Sequence, residues 1–181
     1  EDPRLPRLHV CFLAGDHALL ACADPRDSAP WPQGIPRLKL LPEAPSRSAL
    51  KLEEALLVLL DADERERLLR PGMTAADLGA APGGWTWAAL KRGARVIAVD
   101  FADLKPHVES HPRCEHSLDN GYAFLPNRPA DWMFCDMIVR PMATLGLLER
   151  WIEHKACRKF VVNVKFRGKE PETILAAIEE L

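Results

Sequence analysis

No stretch of this chain approaches the ~20 consecutive apolar residues that a membrane-spanning helix needs, so nothing in its 181 residues reads as a transmembrane segment. Cysteine is sparse and scattered. Cys11, Cys22, Cys114, Cys135 and Cys157 are odd in number and contain no Cys-x-x-Cys pair. That pattern argues against a disulfide framework and suits a reducing, cytoplasmic setting. An excess of positive charge is also missing. With a formal net charge of −2, any nucleic-acid surface has to be a local patch. The first residues, Glu1-Asp2-Pro3-Arg4, do not read as a signal peptide, and no internal repeat is visible. What remains is 48% hydrophobic and 28% charged, the composition of a soluble globular protein. The length suits one domain with a real core plus a fragment of another.

Proline divides the chain. Two apolar-rich segments, Leu8–Leu13 and Ala18–Ala23, are joined by Ala14-Gly15-Asp16-His17 and predict a β-hairpin. Asp24–Pro45 carries many of the 16 prolines and reads as an extended linker. A helix is predicted from Ser46 to about Leu60, with Ser46 or Ser48 as its cap. Strands are then predicted at Thr74–Leu78, Arg95–Val99, Cys114–Ser117, Trp132–Cys135 and Phe160–Val164. Helices are predicted from Trp85, over about Met142–His154, and after Glu172. This succession implies an α/β fold with a parallel sheet covered on both faces. A lone hairpin is not a stable unit. Residues 1–25 are therefore expected to end an N-terminal domain, 26–45 to form the linker, and 46–181 to form the α/β domain.

The most informative stretch is Asp77-Leu78-Gly79-Ala80-Ala81-Pro82-Gly83-Gly84-Trp85-Thr86. A Gly-rich turn from a buried parallel strand into a helix is where α/β proteins bind nucleotides. Glycine lets the backbone approach a ligand, and the helix N-terminus presents free N–H groups to an anion. The spacing is G-x-x-x-G-G, not the G-x-G-x-x-G of dinucleotide sites. Gly84-Trp85-Thr86 also lacks the lysine of a P-loop. The stretch resembles motif I of S-adenosylmethionine (SAM) methyltransferases. In its D-L-G-A-A-P-G-G-W-[ST] form it is similar to the FtsJ/RrmJ-like ribose 2′-O-methyltransferases of RNA. The resemblance implies a Rossmann-like fold and SAM as cofactor, held by Asp77, Gly79, Ala81, Pro82, Gly83, Gly84 and Trp85. The alternative is a plain Gly-rich βα turn.

Acidic residues end three successive predicted strands: Asp100, Asp119 and Asp136. Carboxyl ends of parallel strands face the ligand crevice of open α/β sheets. An acid about 20 residues after the Gly-rich turn can accept both hydroxyls of a ribose. Asp100 fits that role toward SAM, and Asp119 fits an acceptor for the adenine amine. Each alone could be a turn residue. Asp136 and Lys165 follow two buried strands, and such residues are rarely buried unless paired. Adjacent strand ends would let them meet, with a purely structural ion pair as the alternative. Lys51 shares a predicted helix face with Arg47, four residues away, which by itself could be a solvated face.

FtsJ-like enzymes carry a stretch before motif I similar to Arg47-Ser48-Ala49-Leu50-Lys51-Leu52-Glu53-Glu54, and its lysine belongs to a K-D-K-E catalytic tetrad. Residue by residue, Lys51, Asp136 and Lys165 match K, D and K, with Lys165 as proton acceptor. The fourth member is expected beyond Leu181, together with the last two of the family's seven strands. Trp31–Lys39 and Ala44–Ala55 resemble the bacterial branch of that family that methylates one cytidine ribose of 23S ribosomal RNA. That branch implies a THUMP-type RNA-binding region ending in the hairpin, and a SAM contact at Ser48. Arg37, Lys39, Arg47 and Lys51 form a basic stretch suited to phosphates of the RNA or its precursor. No membrane and no obligate protein partner are implied.

Asp136-Met137-Ile138-Val139 departs from the D-M-[AS]-P of typical members. It also lacks the [DN]-P-P-[YF] with which amino-group methyltransferases hold an amine. Other readings are a 2′-O-methyltransferase of another RNA and a non-catalytic RNA-binding relative. His107, His111, Cys114 and His116 have loosely metal-like spacing, but they straddle a loop and a strand, and SAM chemistry needs no metal.

Overall fold

A computed structural model describes residues 5–166 and 171–181. They fall into two units that divide between Lys39 and Leu40. In the first, β1 (Arg7–Ala14) and β2 (His17–Ala23) pair antiparallel, with Val10 opposite Leu20. The proline-rich stretch after them belongs to this unit up to Lys39. Arg7 explains part of that: its Nη1 donates to Pro25 O at 2.8 Å and to Ser28 Oγ at 3.1 Å. The segment expected as a linker over 26–45 is thus shared between the two units.

The second unit begins its regular structure with α1 (Ala49–Leu59) and α2 (Ala62–Leu68). The sheet follows as β3 (Thr74–Leu78), β4 (Arg95–Val99), β5 (Cys114–Ser117), β6 (Ala130–Cys135) and β7 (Cys157–Val162). Between these lie α3 (Gly84–Lys91), α4 (Pro106–Glu109) and α5 (Pro141–Glu153), and α6 (Pro171–Glu179) ends the described chain. All five strands run parallel in the order β5-β4-β3-β6-β7.

Side chains alternate across each strand, and both faces are covered. On β6, Trp132 and Phe134 pack into the cluster that contains Leu52 and Leu56 of α1 and Trp85, Ala88 and Ala89 of α3. Met133 and Cys135 turn the other way, to Leu145, Leu148 and Trp151 of α5. A strand buried on both faces has no polar side, which is why Trp132–Cys135 reads as a continuous apolar run. Among the described residues no helix is long and apolar enough to cross a membrane.

Three local differences from the sequence reading have clear causes. The helix expected from Ser46 starts at Ala49, because residues 46–48 form a tighter turn. Ser46 O, Arg47 O and Ser48 O accept from Ala49, Leu50 and Lys51. Ser48 holds the N-cap position, but its hydroxyl makes no cap bond. The short helix α2 was missed, although its capping box was legible as D-x-x-E. Asp61 accepts from Glu64 N at 2.7 Å, and Glu64 returns a bond to Asp61 N at 3.1 Å. The last strand lies earlier than Phe160–Val164, because its partner β6 ends at Cys135, opposite Val162. Phe160 is 44% exposed, so that strand is less buried than its composition suggests.

Leu52 is fully buried between α1 and the sheet. Leu52→Ala is expected to lower stability by about 2–5 kcal/mol, read by urea denaturation. A loss under about 1 kcal/mol would mean that the α1 site collapses around the smaller side chain.

Candidate active site

The chain runs outward from β3 through β4 to β5, then returns to the other side of β3 with β6 and β7. Reversal of strand order at β3 opens a crevice beyond the carboxyl ends, the usual ligand position of such sheets. A cavity of about 940 Å³ lies there, within the size of small-molecule sites. Its walls come from the turn after β3, the ends of β4, β5 and β6, the start of α1, and Lys165.

The Gly-rich turn forms one wall. Gly79 N and Ala80 N donate to Val99 O at 2.9 and 3.3 Å, so the turn is sewn to the end of β4. Gly79 and Gly83 have φ of +74° and +108°, values that side chains tolerate poorly. A Cβ on Gly84 would collide with Ser48 Oγ and lie 2.7 Å from Ser46 Oγ. Glycine thus lets the start of α1 rest directly on the start of α3. The two hydroxyls, 2.6 Å apart, share a hydrogen bond there. Ser48 was expected at the cofactor; Ser46 was not, and the Ser-x-Ser spacing was its only signal.

Asp100 ends β4 and braces the same turn. Its Oδ2 accepts from Ala81 N at 3.0 Å and its Oδ1 from Ala102 N at 2.9 Å. Each carboxylate oxygen has two lone pairs, so one on each is left for a ligand. Asp119 is exposed at the rim, where its Oδ1 accepts from Asn120 N at 2.6 Å. Asp77 lies beneath the turn, 1% exposed, and accepts from Thr86 Oγ1 at 2.7 Å. Ala81, Pro82 and Trp85 line the crevice, while Trp85 is itself 3% exposed and packs edge-on against Phe134.

The opposite wall holds the ion cluster. Lys51 Nζ donates to Asp136 Oδ1 and Oδ2 at 3.1 and 2.9 Å. Lys165 Nζ lies 3.1 Å from Asp136 Oδ1 and donates to Asp136 O at 2.6 Å. Helix α1 contributes the first lysine, and the segment beyond β7 the second. Asn163 adds a neutral donor, with Nδ2 2.9 Å from Asp136 Oδ1. Nothing in the sequence marked Asn163 apart from its being polar in an apolar run.

Burial works to raise the Asp136 carboxyl. Hydrogen bonds from Lys51, Asn163 and Lys165 outweigh it, so the group is held below the usual carboxylate range. Asp77 goes the other way. Burial pushes it up to about 7, against the Thr86 bonds and with help from Asp136 and Asp100. Beside Asp136, burial raises the Cys135 thiol to about 11, which keeps it protonated and unreactive at neutral pH.

Arg47 lines the crevice ahead of α1 and not on the helical face it was expected to share with Lys51. Arg37 and Lys39 belong to the first unit, where Arg37 Nη2 reaches Gln33 Oε1 at 3.4 Å. The histidines go to separate partners. His107 Nε2 meets Glu43 O at 3.0 Å, and His116 meets Glu109 Oε1 at 2.9 Å and Asp100 O at 3.2 Å.

Asp77 generates a pH prediction. Its folded-state value, about 7, exceeds the ordinary 3.8, so the folded state holds the proton more tightly. The associated stability is complete below about pH 3.8 and is lost as pH rises through about 7. Asp77→Asn keeps an acceptor for Thr86 without the charge. Its melting temperature is expected to gain on wild type between pH 5 and 8. A pH-independent difference would show that Asp77 titrates as an ordinary carboxylate.

Residues 44–154 match the family model described as FtsJ-like methyltransferase. A protein of Xanthomonas campestris pv. campestris called "Ribosomal RNA large subunit methyltransferase M" is 56% identical over 167 residues, 92% of this chain and 48% of its own length. One of the same name from Xylella fastidiosa is 54% identical over 168 residues, 93% of this chain and 48% of its own. The chain therefore spans about half the length of these relatives. Among solved structures, a Lactococcus lactis protein bearing a hemolysin name superposes with a TM-score of 0.55 at 21% identity. That match covers 77% of this chain and 73% of the other, and it speaks to the fold alone. With its Gly-rich turn, its strand-end aspartates and more than half of its residues within the family model, the chain belongs to the FtsJ-like methyltransferase family.

Proposed function

We propose that the protein is a SAM-dependent methyltransferase acting on the ribose 2′-hydroxyl of a cytidine in 23S ribosomal RNA. The observation that carries this reading is the Lys51–Asp136–Lys165 cluster, set across one crevice from the Gly79–Gly84 turn. The relatives' printed name supports large-subunit ribosomal RNA as the substrate. The reading includes a cytoplasmic protein with the RNA or its precursor as partner, free of any membrane, and a THUMP-type region ending in the β1–β2 hairpin. Arg37, Lys39 and Arg47 are proposed to contact phosphates, which position an RNA without reading its sequence.

The crevice residues fit SAM. The Ser46 and Ser48 hydroxyls on the crevice lining and the N–H groups at the start of α3 suit a carboxylate, while Gly83 and Gly84 are not on the lining themselves and act by letting the two segments pack closely. The free lone pairs of Asp100 suit ribose hydroxyls, and Asp119 at the rim suits an amine. When bound, SAM supplies an activated methyl group on a sulfonium centre. The protein's own work is then alignment and proton removal. A ribose hydroxyl is a weak nucleophile until it is deprotonated. Lys165, 19% exposed and lining the crevice, is placed to accept that proton. Lys51, on the other side of Asp136, shares the same carboxylate.

Calorimetry on the full-length protein should show SAM binding that Asp100→Ala weakens by at least about tenfold, since the charge-assisted bond to Ala81 N in the turn and the acceptors proposed for the ribose go with it. Unchanged affinity would remove Asp100 from the cofactor site. Lys165→Ala is expected to leave SAM affinity intact and to lower methyl transfer to 23S RNA by about 10²–10⁴-fold. Lys165→Arg keeps the charge but cannot give up its proton. An arginine variant as inactive as alanine supports proton transfer; near wild-type single-turnover rates would make Lys165 an electrostatic group only.

A further inference from the structure

Asn163 lies in the turn after β7, outside the motifs that carry the family resemblance. Its backbone N–H donates to Cys135 O at 2.9 Å, which extends the β6–β7 pairing one residue past the strand and anchors the chain. Its carboxamide Nδ2 donates to Asp136 Oδ1 at 2.9 Å. The side chain lines not the main crevice but a second cleft of about 390 Å³ beside α1, so it reaches Asp136 from a different side than a ligand in the crevice would.

We propose that Asn163 is a positioning residue. Its N–H fixes the rotation of the Asp136 carboxylate, so that Lys165 is held with one nitrogen position turned toward the substrate. The inference rests on the reading of Lys165 as proton acceptor.

A neutral amine has two N–H groups and one lone pair. Lys165 Nζ has two acceptors near it, Asp136 O at 2.6 Å and Asp136 Oδ1 at 3.1 Å. With both N–H groups on those oxygens, the remaining position is the lone pair, and it faces away from Asp136 into the crevice that Lys165 lines. This arrangement lasts only while Oδ1 keeps its place. Lys51 bridges both carboxylate oxygens and is 49% exposed on a flexible stem, so it does not lock their rotation. Asn163 takes Oδ1 alone, on a short side chain rooted in the sheet. As a neutral donor it orients the carboxylate without adding a positive charge.

Among the described residues, four ionisable groups are close enough to Asp136 to interact with its charge. Lys51 comes from α1, Lys165 from beyond β7, Asp77 from β3, and Cys135 precedes it on β6. Asn163 is the one uncharged donor among the groups that hold its carboxyl low.

In the full-length protein, Asn163→Ala is expected to slow single-turnover methyl transfer about 10–100-fold, the worth of one hydrogen bond to a charged group, with SAM affinity unchanged by calorimetry. Asn163→Asp keeps the shape but sets a second carboxylate against Asp136, and should be slower than alanine. A packing role predicts the reverse order, with Asp near wild type. Asn163→Ser returns a short donor and should fall between alanine and wild type; it carries the test if the alanine variant does not fold. By carbon NMR, the Asp136 carboxyl of Asn163→Ala should titrate at higher pH than in wild type. Wild-type rates in the alanine and aspartate variants, the reversed order, or an unmoved Asp136 titration would overturn the proposal. Lys165→Ala in the same assay separates the two levels. If it too keeps its rate, the reading of Lys165 fails. If it is inactive while the Asn163 variants are normal, only the role of Asn163 fails.

Discussion

One carboxylate ties the crevice together. Asp136 is 13% exposed and holds two ammonium groups and a carboxamide that reach it from different parts of the chain. Lys51 is 85 residues away and Lys165 is 29. A charge this far out of water is tolerated only if it is paired and its lone pairs are filled. Both ammonium groups pair with it and four contacts reach its oxygens, three at Oδ1 and one at Oδ2, which draws α1, β6 and the segment after β7 to one point. Removing Asp136 would leave two ammonium groups side by side with nothing between them, a larger disturbance than the loss of either lysine.

The second constraint is room. At Gly84 the start of α3 touches the serines before α1, and at Gly79 the turn touches Met137, the residue after Asp136. In both places a single Cβ would occupy space already taken. The walls of the crevice are therefore set where glycine backbone packs directly against Ser46, Ser48 and Met137. It also explains why α1, which lies outside the sheet, can present Lys51 at a defined place. Leu52 and Leu56 bury one face of the helix. Arg92, just after α3, clamps Glu53 with bonds of 2.7 and 2.5 Å.

Charge is divided within the crevice. Asp77 and Asp100 lie on the side of the Gly-rich turn, and Asp77 is buried where ionisation is disfavoured. Lys51 and Lys165 lie across from them, with Arg47 also on the lining. A chain with a net charge of −2 thus gathers three cationic side chains, two of them paired with Asp136, on the lining of a crevice whose other wall is acidic. The overall charge is a poor guide here because electrostatic attraction at short range depends on the nearest few groups, the rest being screened over about 8–10 Å.

The strands and the Gly-rich turn were legible from local pattern. Thr74–Leu78 and Arg95–Val99 fall where their composition places them, because β-branched and small apolar residues between turn formers have few other uses; Cys114–Ser117, which is Cys-Glu-His-Ser, follows from its place in the βα succession instead. The βα alternation carried the parallel sheet, since short connections and covered faces leave few other arrangements. Lys51, Asp136 and Lys165 are named by motif resemblance, and adjacent strand ends already suggest that Asp136 and Lys165 meet, but no local pattern tells that Lys51 lies within 3.1 Å of the same carboxylate. Tertiary structure alone decided that Ser46 shares its hydroxyl with Ser48, that Asp100 spends one lone pair of each oxygen on the backbone, and that Asn163 belongs to the cluster. Helix and strand formation depends on residues a few positions apart, which a sequence displays directly. Hydrogen bonding across a crevice depends on which segments burial brings together, and that distance is not written along the chain.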